Sequence, residues 1–408
     1  MSLENKKILL IVGGGISAYK SLDLIRLLQR KGCSVKVVLT KSGKKFVTSL
    51  SISSLSKNRV FEEIFDEKNK GKIDHISLSR WADLILVIPA TANFMSKLSK
   101  GGADDLASTI VLASNKDIFL VPAMNVRMWL HRATQKNLNI LISYGYKFIG
   151  PEDGEMACGE YGKGKMSSPR QILSLLEKFF TKKDLLKKKK ISAIVTTGPT
   201  KEYIDPVRFI SNESSGKQGY EIALELSRLG IKTTLISGPT KLTYSSDIKV
   251  KEVVSGDDML KEVKKKLPTH IAVCAAAVSD FKAIFVKKNK IKKDSDIKEI
   301  KIQKNSDILS YLGKSNRYKP KLLVGFSAET EDLLKNSIKK MQEKYCDIII
   351  ANDISRKEVG FNSDQNEVII IDKSGKTQKI KKNSKKFVAS LIAKKIVDTF
   401  LLNEKSLN

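Results

Sequence analysis

Cysteine is scarce in this chain: Cys33, Cys158, Cys274 and Cys346 are the only four in 408 residues, widely spaced and without a C-x-x-C. Neither a disulfide framework nor a zinc site is indicated, and a reduced, cytoplasmic setting is expected. Long apolar runs are missing too; none approaches the ~20 residues of a membrane span. Residues 1–7 run straight into a predicted strand, so no secretory leader is expected. Arginine supplies only eleven of the 74 basic residues, although the formal charge of +30 by itself points toward nucleic acid. Lysine is scattered through every segment and no nucleic-acid-binding motif is visible. Solvated basic faces explain the charge, with attraction of polyanionic small substrates as a second contribution. A basic binding protein without catalysis remains the alternative.

What is present describes a globular chain with 41% hydrophobic and 29% charged residues, long enough for two domains with separate cores. Residues 6–14 read as a buried strand, followed by Gly13-Gly-Gly-Ile-Ser-Ala-Tyr-Lys20, a helix to about Arg30 and a second strand over 34–40. Gly13, Gly15 and Ala18 make G-x-G-x-x-A, close to a dinucleotide fingerprint. The second strand ends at Thr40 and Lys41, with no Asp or Glu to take an adenosine ribose, which disfavours a nicotinamide oxidoreductase. Glycines before a helix still present N–H groups to an anion, which suits the single phosphate of FMN.

A third buried strand, 82–90, is stopped by a proline and followed by Thr91-Ala-Asn93; Gly101-Gly-Ala-Asp-Asp-Leu106 then leads into an apolar helix. His75 precedes that strand, and a lone histidine is usually a surface or satisfied structural residue. The apolar run 117–121 ends at Pro122-Ala-Met-Asn-Val-Arg-Met-Trp129, an amide, two thioethers and an indole at the carboxyl end of a strand, where open α/β sheets bind ligands. On composition alone Met124, Met128 and Trp129 are core residues capping a strand. Residues 156–166 hold three glycines close to Cys158 and read as a mobile loop, and the polar surroundings argue against a buried structural thiol. A helix over 169–180 closes a first domain (1–180), and Thr181–Lys190 reads as a Lys-rich hinge before a second (191–408).

The second half restarts with a strand at 191–197. Ser211-Asn-Glu-Ser-Ser-Gly-Lys217 then opens a helix over 220–229. A P-loop is rejected because Ser211 stands where its first glycine is required, although the Gly/Ser-rich helix start remains a phosphate cradle. Strands at 231–237, 270–277 and 322–326 alternate with helices, giving a second parallel sheet. The fold class expected is α/β, with two doubly wound, Rossmann-like parallel-sheet domains. Lys290 lies in Lys287-Lys-Asn-Lys-Ile-Lys-Lys293, which in so Lys-rich a chain reads first as a solvated basic loop.

The octapeptide, the Gly-Ile-Ser-Ala-Tyr-Lys loop and Ala157-Cys-Gly159 resemble the flavin-dependent phosphopantothenoylcysteine decarboxylase family. The Ser211–Lys217 stretch, Ala275–Asp280, Gly325–Thr330, Ala351–Asp353 and Gly360–Asp364 resemble phosphopantothenate–cysteine ligase. The order matches the bacterial bifunctional coenzyme A biosynthesis family, so the resemblance implies a flavodoxin-like flavoprotein domain followed by a nucleotide-binding ligase domain. In the first it implies FMN contacts from Gly15, Ser17, Thr40, Thr91 and Asn93. Asn125 would hold the substrate carboxylate, Pro122, Met124, Met128 and Trp129 would line its pocket, His75 would be base or orienting group, and Cys158 would donate a proton. In the second it implies CTP contacts from Asp280, Lys290, Phe326, Lys340 and Lys344, with Asn212 at the acyl-cytidylate. Phosphopantothenate would be activated by CTP, with Mg²⁺, and captured by cysteine; the product would then be decarboxylated. The family also implies homo-oligomers, trimeric around the flavin and paired through the ligase halves. One departure is Ser306 in Lys304-Asn-Ser-Asp307, where proline is expected; its loss should loosen a nucleotide-facing loop.

Overall fold

The computed structural model describes residues 3–64, 74–157, 159–292, 299–355 and 363–405. Two compact units divide at Asp184/Leu185.

In the first unit the strands are β1 (Lys7–Val12), β2 (Ser34–Leu39), β3 (Val60–Phe61), β4 (Leu84–Ala90), β5 (Asp117–Pro122) and β6 (Lys147–Phe148). They form one parallel sheet in the order β3-β2-β1-β4-β5-β6. The unbroken apolar run of β1 belongs at the centre because both faces are covered. Side chains alternate between faces: Ile8, Leu10 and Val12 join one core cluster, Leu9 and Ile11 the other. The helices are α1 (Lys20–Arg30), α2 (Ser49–Ser56), α3 (Asp74–Trp81), α4 (Ala92–Ser99), α5 (Leu106–Leu112), α6 (Val126–Leu130), α7 (Arg132–Ser143) and α8 (Pro169–Lys188).

Three local expectations change. Pro89 and Pro122 lie within β4 and β5 rather than beyond them. The ladder tolerates them through a register shift between Val87 and Ala90, after which Ala90 pairs with Pro122. Within residues 156–166, expected as a loop, Tyr161–Lys165 form β8, which pairs antiparallel with β7 (Glu152–Glu155). The Lys-rich stretch expected as a hinge continues α8 as far as Lys188, since lysine is a good helix former and no glycine or proline intervenes.

The second unit holds β9 (Ser192–Thr197), β10 (Glu202–Tyr203), β11 (Phe209–Ile210), β12 (Lys232–Ser237), β13 (Lys249–Glu252), β14 (Ile271–Cys274), β15 (Phe281–Ala283), β16 (Ile302–Lys304), β17 (Leu322–Glu329), β18 (Ile348–Asp353), β19 (Gln365–Asp372) and β20 (Thr377–Ser384). Its main sheet runs β13-β12-β9-β14-β17-β18-β19-β20. Pairing is parallel up to β18, and β19 and β20 add antiparallel at that edge, which the sequence reading did not anticipate. Helices α9 (Lys217–Arg228), α10 (Gly256–Lys265), α11 (Ile308–Lys314), α12 (Leu333–Glu343) and α13 (Lys385–Lys405) complete the unit. Val195 and Ile194 again divide between two core clusters, one on each face. Among the described residues no helix is long and apolar enough to cross a membrane.

Candidate functional site

In the first sheet β1 leads to β2 on one side and β4 lies on the other, so the crevice beyond their carboxyl ends is a topological switch point. The loop after β1 comes so near β4 that a Cβ on Gly13 would lie 2.3 Å from Pro89 O, and only glycine fits. Gly15 precedes a short 3-10 turn, Ile16–Tyr19, with no side-chain cap on its first N–H groups. Ser17 stands in that turn; its carbonyl accepts from Lys20 N, while its hydroxyl meets no partner among the described residues. Thr91 caps α4, accepting from Phe94 N at 3.2 Å, while Asn93 is exposed beside it. Thr40 differs: its hydroxyl donates to Val12 O (2.9 Å) and accepts from Gly43 N (3.0 Å), so it ties β2 to β1.

The octapeptide begins where Ala123 N donates to Ala90 O at 3.2 Å, beside the Thr91 loop. Asn125 caps α6: its Oδ1 accepts from Met128 N at 2.8 Å. That bond fixes the carboxamide, leaving its NH₂, a donor only, as the edge available to a carboxylate. Strand β8 lies directly on this segment. Met124 N donates to Gly164 O at 3.1 Å, and a Cβ on Gly164, whose φ is +153°, would stand 2.3 Å from Met124 O. Glycine here permits close backbone approach, which is why the stretch carries no strand-like side-chain pattern. Trp129 and Pro122 are buried, Met124 packs partly against the core, and Met128 is 46% exposed. The motif is therefore part core and part surface.

His75 is the second residue of α3, next to a buried Asp74 that Arg59 holds with two 2.9 Å bonds. Its Nδ1 is buried without a partner, and among the described residues no hydrogen bond joins it to the octapeptide. Cys158 lies outside the described residues.

In the second unit the carboxyl ends of β9, β14 and β17 border a cavity of about 830 Å³. It brings together Asn212, Asp280, Phe326, Lys340 and Lys344. Asn212 Nδ2 donates to Val278 O at 3.0 Å, which clamps the segment ahead of α9 onto the loop after β14. Lys344 pairs with Asp307 at 2.6 Å. Burial opposes ionisation of Asp307, yet Lys344, the Ser310 N–H and Lys340 together hold its carboxyl below the usual range. Lys290 is not among the residues lining this cavity; it is exposed, next to Ile291, whose N–H donates to Asp205 Oδ2 at 3.1 Å. Lys293, and Gly360 to Asn362, lie outside the described residues.

The family described as "DNA/pantothenate metabolism flavoprotein C-terminal domain" matches residues 186–400, and the family "Flavoprotein" matches residues 1–181. The coenzyme A biosynthesis bifunctional protein CoaBC of Haemophilus influenzae is 40% identical over 401 residues, 98% of this chain and 99% of that protein. The chain belongs to the bifunctional coenzyme A biosynthesis family. The Bacillus subtilis protein of the same name is 39% identical over 396 residues, 97% of each chain. A solved C-terminal domain of a CoaBC protein is 34% identical, covering 51% of this chain and 95% of that one, with a TM-score of 0.44. As a member, the chain is a bifunctional enzyme of coenzyme A biosynthesis whose first unit is a flavoprotein.

The residues at the first sheet edge fit a flavin phosphate: the uncapped turn after Gly15 and the unpartnered Ser17 hydroxyl are donors only an anion or water can meet. Among the described residues no group of three or more His, Cys, Asp or Glu could hold a metal ion.

Sequence reasoning gave no role to three residues of the cavity, although Asn352 lies in the Ala351–Asp353 stretch that resembles the ligase. Asn352, Lys217 and Lys385 line the cavity, and Asn352 Oδ1 is buried without a partner. Lys217 stands in the quoted Ser-Ser-Gly-Lys stretch, whereas nothing local distinguishes Lys385 from the other lysines. Ser306 is tied to the start of α10: its hydroxyl donates to Asp257 Oδ1 at 2.8 Å, and Lys282 pairs with the same carboxylate at 2.5 Å.

Proposed function

We propose that the first unit is the FMN-dependent decarboxylase of phosphopantothenoylcysteine and the second the CTP-dependent phosphopantothenate–cysteine ligase. One observation carries each half: the Asn125 carboxamide turned donor-outward beneath β8, and the cavity that gathers Asn212, Asp280, Phe326, Lys340 and Lys344. The ligase forms the substrate that the decarboxylase consumes, and the working setting is cytoplasmic.

In the second unit Lys340 and Lys344 meet the triphosphate, with Lys290 joining them as the nucleotide binds. Positive groups there stabilise charge as pyrophosphate leaves the acyl-cytidylate. Asn212 holds that mixed anhydride while the cysteine amine attacks. In the first unit Asn125 NH₂ binds the substrate carboxylate, His75 orients the substrate or takes a proton, and Cys158 returns one to the product. Bound FMN supplies reversible two-electron oxidation of the thiol, so no external reductant is needed. Gly15, Ser17, Thr91 and Asn93 line its binding edge, and Thr40 shapes it.

A homo-oligomer completes the flavin half. Ile16 (60% exposed), Leu130 (61%) and Tyr161 (78%) are apolar side chains beside the flavin loop, the motif and the hairpin, which a second copy would cover. No nucleic-acid partner is part of this reading.

The test is direct. Purified protein should be yellow with about one flavin per chain. It should release pyrophosphate from CTP only when phosphopantothenate is present. A colourless chain that cannot take up FMN overturns the first assignment; no pyrophosphate overturns the second.

A further inference from the structure

Lys290 lies in an exposed run of lysines, yet the backbone on both sides of it is tied down. Lys287 N donates to Ile204 O at 2.9 Å, and Ile291 N donates to Asp205 Oδ2 at 3.1 Å. Both acceptors belong to the turn between β10 and β11, where Ile204 N donates to Arg208 O at 2.8 Å. The hairpin is itself fixed to the start of α10. Lys201 N donates to Val254 O at 2.9 Å, and Glu202 Oε1 accepts from Gly256 N at 2.8 Å. Its second strand, β11, runs at Ser211 into the segment where Asn212 lines the cavity.

One carboxylate joins these parts. The Asp205 side chain is fully buried, and its Oδ1 accepts from Val207 N at 2.8 Å and from Arg208 N at 2.7 Å. Those two bonds suffice to form the turn. Oδ2 is directed elsewhere, to Ile291 N and to Arg208 Nη1 at 2.9 Å, and the same Nη1 donates to Ile291 O at 3.1 Å. The Asp205–Arg208 ion pair therefore grips both backbone groups of Ile291, the carboxylate taking the N–H and the guanidinium the carbonyl. A buried carboxylate is costly unless its oxygens are met, so the loop and the turn stabilise each other. With Lys287 and Ile291 held, reach toward a nucleotide is left to the Lys290 side chain. A displacement of about 1 Å in a group that meets the reacting atoms costs up to about a hundredfold in rate.

We propose that Asp205 is a positioning residue of the ligase reaction: it fixes the loop that presents Lys290 to the nucleotide against the hairpin that leads to Asn212. This inference rests on the ligase reading above and on the part given there to Lys290.

The experiment measures pyrophosphate release at saturating CTP and phosphopantothenate by the full-length chain, Asp205→Asn, Lys290→Gln and the double variant. Asparagine keeps an oxygen for the turn but loses the negative charge and one of the two acceptor oxygens. Asp205→Asn should lower kcat about tenfold or more. In the Lys290→Gln background the same change should cost less than about twofold, because a residue that acts through Lys290 then has nothing left to aim. An equal loss in both backgrounds, with a lowered melting temperature, would assign Asp205 a purely structural role and overturn the inference. A kcat for Asp205→Asn within about twofold of the parent overturns it as well. Should Asp205→Asn not fold, Ile291→Pro takes its place in the same cycle and is read by the same outcomes. That change removes the N–H from the loop side and leaves the buried carboxylate alone. A large loss in Lys290→Gln beside either overturning result defeats this inference alone. Near-parental release by Lys290→Gln defeats the part given to Lys290 and this inference with it, and a parent chain that releases no pyrophosphate defeats the ligase reading as a whole.

Discussion

Lys344 and Asp307 form a 2.6 Å ion pair at the cavity wall, and the same carboxylate caps α11 by accepting from Ser310 N at 2.8 Å. A lysine proposed to meet a triphosphate is therefore held in place by a carboxylate that it must share with, or surrender for, the ligand. Asp307→Asn keeps the cap but removes the charge. CTP should then bind more tightly, by about three- to tenfold, because Lys344 no longer has a competing anion. Stability should fall by no more than about 1 kcal/mol, since the pair is partly exposed to solvent. The folded carboxyl titrates below its unfolded value, so its contribution is present above about pH 3.9 and is lost as pH falls through the lower folded value. Melting temperatures of parent and variant should differ from neutral pH down to about 4 and converge below it. Weaker CTP binding in the variant would show that Asp307 serves the nucleotide rather than restraining its lysine.

Asn125→Asp separates capping from binding. An aspartate accepts from Met128 N as well as asparagine does, so α6 and the melting temperature should be preserved. The carboxylate loses the donor and repels the substrate carboxylate, a juxtaposition worth several kcal/mol, or about a thousandfold in decarboxylation. CTP-dependent ligation should continue. If both activities collapse together, Asn125 is structural.

Lys290 is tested against its neighbour Lys287. Both are exposed in the same basic segment, and neither lines the cavity. If the segment only raises local potential, Lys290→Gln and Lys287→Gln should show the same small, salt-dependent weakening of CTP binding. If Lys290 swings onto the triphosphate, its loss alone should slow pyrophosphate release about a hundred- to thousandfold. We expect the second result; equal small effects would remove Lys290 from the mechanism.

Gly164→Ala probes the hairpin over the motif. The new Cβ would meet Met124 O at 2.3 Å, at a φ of +153°, so β8 must lift from the octapeptide. A cost of about 1–3 kcal/mol is expected, felt locally. Decarboxylation should fall while flavin absorbance and ligation remain, and proteolysis should cut the hairpin sooner. Gly375→Ala is the comparison: its φ is also positive, at 80°, but its Cβ meets nothing within 4 Å. Its decarboxylation should match the parent, and an equal loss in both variants would argue against a specific role for the hairpin.

Much of this molecule is set by short-range pattern. The apolar runs of β1, β4, β5 and β9 specify strands covered on both faces, and the residues following them specify a ligand edge, so the α/β class of both units is legible in sequence. The octapeptide could be located for the same reason, since it begins at the end of β5, and the Ser-Ser-Gly-Lys stretch because it opens α9. Other features depend on groups far apart in the chain. Strand β8 looks like a loop because its glycines are required by Met124 and Val126, residues about forty positions earlier. The bond from the Ser306 hydroxyl to Asp257 is likewise invisible in sequence. Lys385 is one lysine among many until burial at the start of α13 places it on the cavity wall with Lys217. A charge acquires its energetic meaning from the dielectric and partners around it, and those exist only once the sheet has gathered its edges.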